Sequence, residues 1–459
     1  MPTATQPDVR PARLAADQYA KAFADASPRL TRAQALLEAE RCLYCFDAPC
    51  ATACPTSIDV PSFIKRISDD NLRGAARTIL ESNPLGGMCA RVCPTENLCE
   101  AVCVRNTQEG KPVAIGRLQR HAVDALMESA KPQIFTRATA TGKKVAVVGA
   151  GPAGLACAHT LARRGHDVAL FDARPKAGGL NEYGLASYKT PDNFAQREVQ
   201  WLLAIGGMTV HHDWKLETPA QLDTLRSDFD AVFLGMGLSA TPALGIPGEH
   251  FPGVQDAVDF IAELRQCADL ATLPVGRRVV VIGGGMTAVD AAVQSRRLGA
   301  ETVHMVYRRG PDALSASQAE QEWAQTNGVR IHYWLAPQEI VSTLDLSNPA
   351  APDVGHVCAV RFARQTQVDG KLQATGETEV LQADMVLKAI GQQLGNPMLS
   401  QSGLALKAGR IATDAEGQTN LPGVWAGGDC RAGGLDLTVE AVEHGKQSAH
   451  AIHAFLSHP

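Results

Sequence analysis

No run of about 18 apolar residues occurs in the sequence, so no membrane-spanning helix is expected. The opening stretch, MPTATQPDVRPARLAADQYA, lacks the apolar core of a signal peptide, and a cytoplasmic protein is expected. Net charge is only −5 over 459 residues, which implies no field for nucleic acid or membrane. Aromatic residues are scarce at 5%. No Ser-His-Asp or Cys-His arrangement emerges, and no residue stands out as a catalytic acid, base or nucleophile. The histidines do not gather as ligands, apart from His211-His212 in an expected loop.

What the sequence does have is cysteine in one place and glycine-rich turns in two. Eight of the 12 cysteines lie between Cys42 and Cys103. They are Cys42, Cys45, Cys50 and Cys54, then Cys89, Cys93, Cys99 and Cys103, with prolines directly after Cys54 and Cys93. A cysteine run ending in Cys-Pro, whose fourth member serves another cluster, is how two-cluster iron–sulfur domains are wired. Thiolates also match the softness of iron. Two structural zinc sites or a disulfide framework are the alternatives. The gaps of 2, 4 and 3 and then 3, 5 and 3 residues fit paired C-x2-C zinc sites poorly. Disulfides fit an oxidising compartment that nothing here suggests. The other cysteines, Cys157, Cys267, Cys358 and Cys430, read as scattered core or surface residues.

Taken in order, residues 1–30 read as a loosely held arm. Thr31 to Gln34 has the capping-box pattern and opens a helix that delivers Cys42. Residues 58–80 read as helical, with Phe63, Ile64 and Ile67 on one face. A further amphipathic helix is expected over 113–129, with Ile115, Leu118, Ala122 and Leu126 as its stripe. Gln119 falls on that stripe and needs a partner there, either as a satisfied core residue or as a group near a cluster. Residues 131–143 read as a polar linker.

From Lys144 the pattern changes. A short apolar strand runs to Val148 and leads into Gly149-Ala-Gly151-Pro-Ala-Gly154 and a helix. This is G-x-G-x-x-G in the strand–turn–helix setting that dinucleotide binding demands. The next strand ends in Asp172, placed to accept from a ribose hydroxyl. Gly179, Leu180 and Lys189 are further cofactor-binding candidates. The unit then repeats: Arg278–Ile282, the turn Gly283-Gly-Gly285-Met-Thr287-Ala288, a helix, and a strand ending in Arg308-Arg309. Arginines there favour a 2′-phosphate, hence NADPH over NADH; the alternative is a solvated surface pair. Gly391 closes the return strand of this repeat. A final strand ends in Gly428-Asp429, and Thr438 starts a helix, which places both by the first nucleotide with Asp429 a candidate for a ribityl hydroxyl. The second nucleotide unit therefore reads as an insertion in the first, and about three domains are expected from the length. The expected boundaries are 1–138, 139–240, 241–392 and 393–459.

In this order the whole chain from about residue 30 resembles one family, the flavin subunit of bacterial dihydropyrimidine dehydrogenase. The small subunit of NADPH-dependent glutamate synthase is a close cousin. The segments carrying the resemblance are RCLYCFDAPCATACPTSIDVPSFI, NPLGGMCARVCPTENLCEAVC, AIGRLQR, VAVVGAGPAGL and WAGGDC. Five residues separate Cys93 from Cys99, as in the dihydropyrimidine type; the glutamate synthase type has a shorter Cys-Pro-Ala-Pro-Cys.

The resemblance implies an α/β chain: an α-helical domain with two 4Fe–4S clusters, then tandem Rossmann-like FAD and NAD(P) domains, the second inserted in the first. It implies one cluster on Cys42, Cys45, Cys50 and Cys103, and the other on Cys54, Cys93, Cys99 and Gln119, with Cys89 a bystander. It further implies that electrons pass from NAD(P)H through FAD and the clusters to an FMN-containing partner subunit, which reduces uracil or thymine to the 5,6-dihydro form. Met286 departs from the polar residue usual in the family's second loop, and the arginine pair is absent from some NADH-using relatives. A scaffold that only senses cofactor is disfavoured because both loops look complete.

Overall fold

The computed structural model describes residues 8–342 and 355–457. The chain divides into two compact units. One comprises Ser27–Glu182, Lys189–Ala240 and the chain from Gln393 onward; the other comprises the chain through Ala26, Tyr183–Tyr188 and Thr241–Gln392.

The first unit opens with helices. The leading ones are α1 (Arg32–Glu40), α2 (Val60–Ser68), α3 (Leu72–Ser82), α4 (Gly86–Val92) and α5 (Ile115–Met127). Thr31 begins α1 as a reciprocal cap: its Oγ1 accepts from Gln34 N at 3.3 Å, and Gln34 Oε1 accepts from Thr31 N at 3.0 Å. The helix expected over 58–80 is two helices. Asp70 adopts φ 58°, and Asn71 Oδ1 accepts from Gly74 N at 2.9 Å as a fresh N-cap. Phe63, Ile64 and Ile67 of α2 are buried, as are Ile79 and Leu80 of α3.

The expected linker over 131–143 is a packed strap. Trp201 Nε1 donates to the Pro132 carbonyl at 3.0 Å, and Gln133 Nε2 donates to the Trp201 carbonyl at 3.1 Å. Phe135 is buried, with the Arg163 guanidinium 3.9 Å from its ring centroid. Polar composition concealed one apolar pair, Ile134-Phe135, that burial could use.

Next come β1 (Lys144–Val148), α6 (Pro152–Arg163), β2 (Asp167–Phe171), α7 (Phe194–Leu203), β3 (Met208–His211) and β4 (Ala231–Leu234). Val145 to Val148 are buried on both faces of the sheet, as expected of a parallel strand covered twice. His211 ends β3 and stacks on Phe171 at 4.9 Å, so only His212 of that pair lies beyond the strand.

In the second unit, β5 (Val254–Asp256), β6 (Arg278–Ile282), α8 (Met286–Arg297), β7 (Thr302–Val306) and β8 (Val329–His332) precede β9 (Leu335–Ser342), β10 (Val357–Val368), β11 (Lys371–Gln382) and β12 (Met385–Lys388). The parallel sheet has the order β8-β7-β6-β12-β5, and β9-β10-β11 form an antiparallel sheet. The N-terminal arm is not loose over its described residues. Val9–Arg10 pair antiparallel with Val275–Gly276, Arg13 Nε donates to the Val275 carbonyl at 3.0 Å, and Tyr19 is buried. Residues 8–26 thus belong to this unit, not to the helical domain where the sequence placed them.

The chain then returns to the first unit with β13 (Val424–Ala426) and α9 (Thr438–Ser457). Its parallel sheet has the order β13-β4-β1-β2-β3. The last strand is therefore at one edge, beside β4, with Val424 opposite Val232. Helix α9 crosses α6 closely: a Cβ at Gly445 would lie 2.1 Å from the Ala153 carbonyl oxygen. No helix among the described residues is long and apolar enough to cross a membrane.

Candidate functional site

Four thiols surround one pocket in the helical part. Cys42 follows α1, Cys50 lies in the short helix Pro49–Thr52, and Cys103 caps the helix Val104–Glu109. With Cys45 they line a space of about 370 Å³, open in part to solvent, whose apolar wall includes Val60, Ile64, Val113 and Ile115. Burial pushes the Cys42 thiol up, with Cys45 and Cys103 adding to the effect. Cys50 is pushed up to about 11 by burial and by the thiols of Cys42 and Cys103. Such thiols resist ionising until a cation arrives to compensate them. Among the described residues no three His, Cys, Asp or Glu side chains converge as around a single metal ion. The ring around a wider space fits a polynuclear cluster, in which each thiolate takes its own iron.

A second group lies alongside. Burial raises Cys93 well above the usual thiol range, with Cys89, Cys99 and Cys54 contributing. Cys99 is raised by burial, then by Glu100 and Cys54. Cys93 and Cys99 thus both lie within electrostatic reach of Cys54, and Cys99 also within reach of Cys50 of the first ring. Cys89 is close too, but it lies fully inside α4, beside Asn83 and Glu198. Gln119 is 7% exposed, and its Nε2 donates to the Gly86 carbonyl on α4 at 2.7 Å. That bond fixes the amide and leaves its oxygen as the end for a further partner.

The helical part is tied to the first sheet by a residue that sequence reasoning missed. Glu198 of α7 is buried and accepts from Gly87 N at 2.8 Å and from Met88 N at 3.1 Å. It caps the N-terminus of α4 from another element, its oxygen accepting from two of the backbone N–H groups that open that helix. Burial pushes its carboxyl up to about 8. Beside it, the Arg91 guanidinium lies 3.4 Å from the Phe194 ring centroid and pairs with Asp124 at 2.7 Å. A signal was present: Glu198 sits on the apolar stripe Phe194, Ala195, Val199 and Leu202 of α7.

The first glycine loop is as tight as its motif demands. Gly149 adopts φ +98°, and a Cβ there would lie 2.3 Å from the Gly235 carbonyl oxygen. A Cβ at Gly154 would lie 1.8 Å from the Gly149 carbonyl oxygen. Gly151 caps α6, whose N-terminus is open to an anion. The Gly178–Gly179 turn covers this loop: a Cβ at Gly179 would be 2.7 Å from Gly151 Cα. This backbone approach is the cradle that a pyrophosphate needs, so the residues fit a dinucleotide. Asp172 does more than await a ribose. Its Oδ2 accepts from Ala150 N at 2.7 Å and its Oδ1 from Arg174 N at 2.9 Å, bracing the loop itself. Burial raises its carboxyl and these bonds oppose that.

At the other side of this site, Asp429 lies in the turn Gly428–Cys430 after β13 and is pushed up to about 6 by burial and then by Asp436. Thr438 opens α9, and its Oγ1 donates to Asn181 Oδ1 at 3.1 Å. Leu180 is partly exposed and Lys189 half-buried.

In the second unit, a Cβ at Gly283 would lie 2.1 Å from the Ala389 carbonyl oxygen, and Gly285 caps α8. Thr287 is half-buried on the first turn of α8. Ala288 is fully buried in the core, so its part is close packing and not contact with nucleotide. Arg308 and Arg309 are exposed after β7, and no ion pair holds either among the described residues. Gly391, after β12, is exposed.

Residues 143–445 match the profile of the pyridine nucleotide-disulphide oxidoreductases. The chain belongs to this family. Residues 19–131 match dihydropyrimidine dehydrogenase domain II, 4Fe-4S cluster. The NAD-dependent dihydropyrimidine dehydrogenase subunit PreT of Salmonella typhimurium is 33% identical over 94% of this chain and 96% of its own length. The glutamate synthase [NADPH] small chain of Halomonas elongata is 32% identical over 98% of this chain and 96% of its own. The putative oxidoreductase AegA of Escherichia coli is 34% identical over 91% of this chain, which spans 65% of AegA's length. Solved structures show the same fold: Mycobacterium tuberculosis FprA in complex with NADPH has TM-score 0.55 and 20% identity, over 69% of this chain and 85% of FprA. Thioredoxin reductase of Lactococcus lactis has TM-score 0.54 and 22% identity, over 69% of this chain and all of its own. This pyridine nucleotide-disulphide oxidoreductase is thus an NAD(P)H-dependent flavoprotein with a 4Fe–4S domain and tandem nucleotide folds.

Proposed function

We propose that this oxidoreductase is the electron-input subunit of a dihydropyrimidine dehydrogenase. It takes electrons from NAD(P)H and delivers them to an FMN-containing partner subunit that reduces uracil or thymine. The observation that carries the reading is the ring of Cys42, Cys45, Cys50 and Cys103, inside the segment similar to domain II of dihydropyrimidine dehydrogenase. In this reading those four thiolates hold one cluster. Cys54, Cys93, Cys99 and Gln119 hold the other, and Cys89 holds none.

When bound, the flavin and clusters supply the change from a two-electron hydride to single electrons. The chain's own residues bind and orient. The Gly149–Gly154 turn and the α6 N-terminus take the flavin pyrophosphate, with Asp172 bracing the turn. Asp429 and Thr438 hold the ribityl and ring side. The Gly283–Gly285 turn and the α8 N-terminus take the nicotinamide nucleotide. Arg308 and Arg309 select a 2′-phosphate, so NADPH is the donor. Replacing both by alanine should lower kcat/KM for NADPH about 10- to 100-fold and leave NADH little changed. A clear NADH preference in the unaltered protein would defeat the assignment of these arginines.

The test of the whole reading is anaerobic co-purification from the native host. An FMN-containing partner and uracil-dependent NAD(P)H oxidation are expected. The similarity to the glutamate synthase small chain supports a second reading, in which a large amidotransferase subunit co-purifies. Glutamine-dependent turnover without any response to uracil would replace the first reading by the second.

A further inference from the structure

A buried amide next to the first nucleotide loop is only half used. Asn181 lies in the single helical turn Leu180–Tyr183, directly after the Gly178–Gly179 turn that covers Gly151. It is 2% exposed. Its Oδ1 accepts from Thr438 Oγ1 at 3.1 Å, so its side chain rests against the N-terminus of α9. Its Nδ2 is buried and has no hydrogen-bond partner among the described residues. The neighbouring acid, Glu182, does not use it: Gln196 Nε2 donates to Glu182 at 3.0 Å, and Lys176 pairs with that carboxylate at 3.8 Å.

A buried amide hydrogen with no acceptor is costly, so native proteins rarely leave one unpaired. Turning the amide over does not remove the difficulty. One end would still meet Thr438, and the other would still be orphaned. The vacant end is therefore built for something that arrives. Its surroundings say what: the turn over the pyrophosphate loop on one side, and the first residue of a long helix, already turned toward a negative or carbonyl-bearing group, on the other. A flavin ring carries several carbonyl and ring-nitrogen acceptors, and it is the group this unit binds.

We propose that Asn181 is a flavin-binding residue of this chain: Thr438 fixes one end of its amide, and the other end donates to an acceptor on the flavin ring. A donor there favours the more electron-rich, reduced ring and so raises the flavin's potential. Thr438 then acts twice, as a residue of the helix start and as the brace that aims the amide. The inference rests on flavin binding by the first unit and is independent of which acceptor the electrons reach.

The experiment uses Asn181→Leu, which keeps the branched outline of the side chain and removes both polar ends of the amide. FAD affinity is read by fluorescence on the deflavinated full-length protein, the visible flavin spectrum is recorded on the reloaded protein, and the flavin potential is read by dye equilibration. On the order of tenfold weaker FAD binding is expected, with a shifted flavin band and a lower potential. Melting of the flavin-free variant against the flavin-free parent separates a packing loss from a flavin-specific one. Unchanged affinity, spectrum and potential would overturn the proposal. Should the leucine variant fail to fold, Asn181→Asp replaces the donor by an acceptor in the same shape; a flavin spectrum and potential identical to the parent's would likewise overturn it.

Discussion

His159 is 1% exposed on α6, and neither ring nitrogen has a hydrogen-bond partner among the described residues. Its ring stacks on Trp201 at 6.0 Å and meets Phe135 edge-on at 5.5 Å. Burial pushes its pKa down to about 3 from an ordinary 6.5. The folded state thus holds it neutral while the unfolded chain protonates it below pH 6.5. The resulting stability is complete above that value and is lost as pH falls toward the folded value. His159→Phe should therefore reduce the acid loss of stability, by up to about 3 kcal/mol at pH 4, in urea denaturation series across pH. Persistence of the full acid loss would mean other groups carry it. At the same scale, the two clusters distinguish Gln119 from Cys89. Gln119→Ala should alter the electron paramagnetic resonance signal of one cluster only, and Cys89→Ser should retain all the iron. Loss of a whole cluster in Cys89→Ser would reassign the fourth ligand.

Between elements, two contacts govern the first unit. Helices α6 and α9 meet backbone to backbone at Gly445 and Ala153, where no Cβ fits. Gly445→Ala should separate them and cost roughly 1–3 kcal/mol, read as a lower melting temperature together with flavin loss. The second contact is Glu198 at the start of α4. Its folded pKa of about 8 stands above its ordinary 4.5, so the folded state keeps a proton that the unfolded chain loses. Its contribution is whole below pH 4.5 and fades as pH rises toward 8. Glu198→Gln keeps an acceptor for Gly87 and Met88 and removes the titration. Stability should then become flatter across that window in the variant than in the parent.

On the scale of the whole molecule, each unit has its own core, one around Phe63, Ile79 and Phe233 and the other around Ile261, Val279 and Val293. Iron removal by an anaerobic chelator should therefore lower one calorimetric transition and leave the other near its original temperature. Equal loss of both would show that the cores melt together. Much of this was legible from residues alone. Cysteine spacing announced clusters, and each glycine turn announced a nucleotide, because metal ligation and close backbone approach admit few residue types. The strand after each turn was legible because a parallel strand buried on both faces is a short, unbroken apolar run. The arm at residues 8–26 and the strap at Pro132–Phe135 were misread, because one tyrosine and one phenylalanine in polar company carry no period. Gln119 stood out as a polar residue on an apolar stripe; Glu198 carried the same sign and passed unnoticed. By itself, then, the sequence determined which cofactors the chain is built for and the order of its domains, since local spacing and period specify both. Only the tertiary structure decided that Glu198 caps a helix 110 residues before it, and that Asn181 meets Thr438 across 257 residues. Those pairings are set by how distant segments pack, and separation along the chain leaves no local pattern to read.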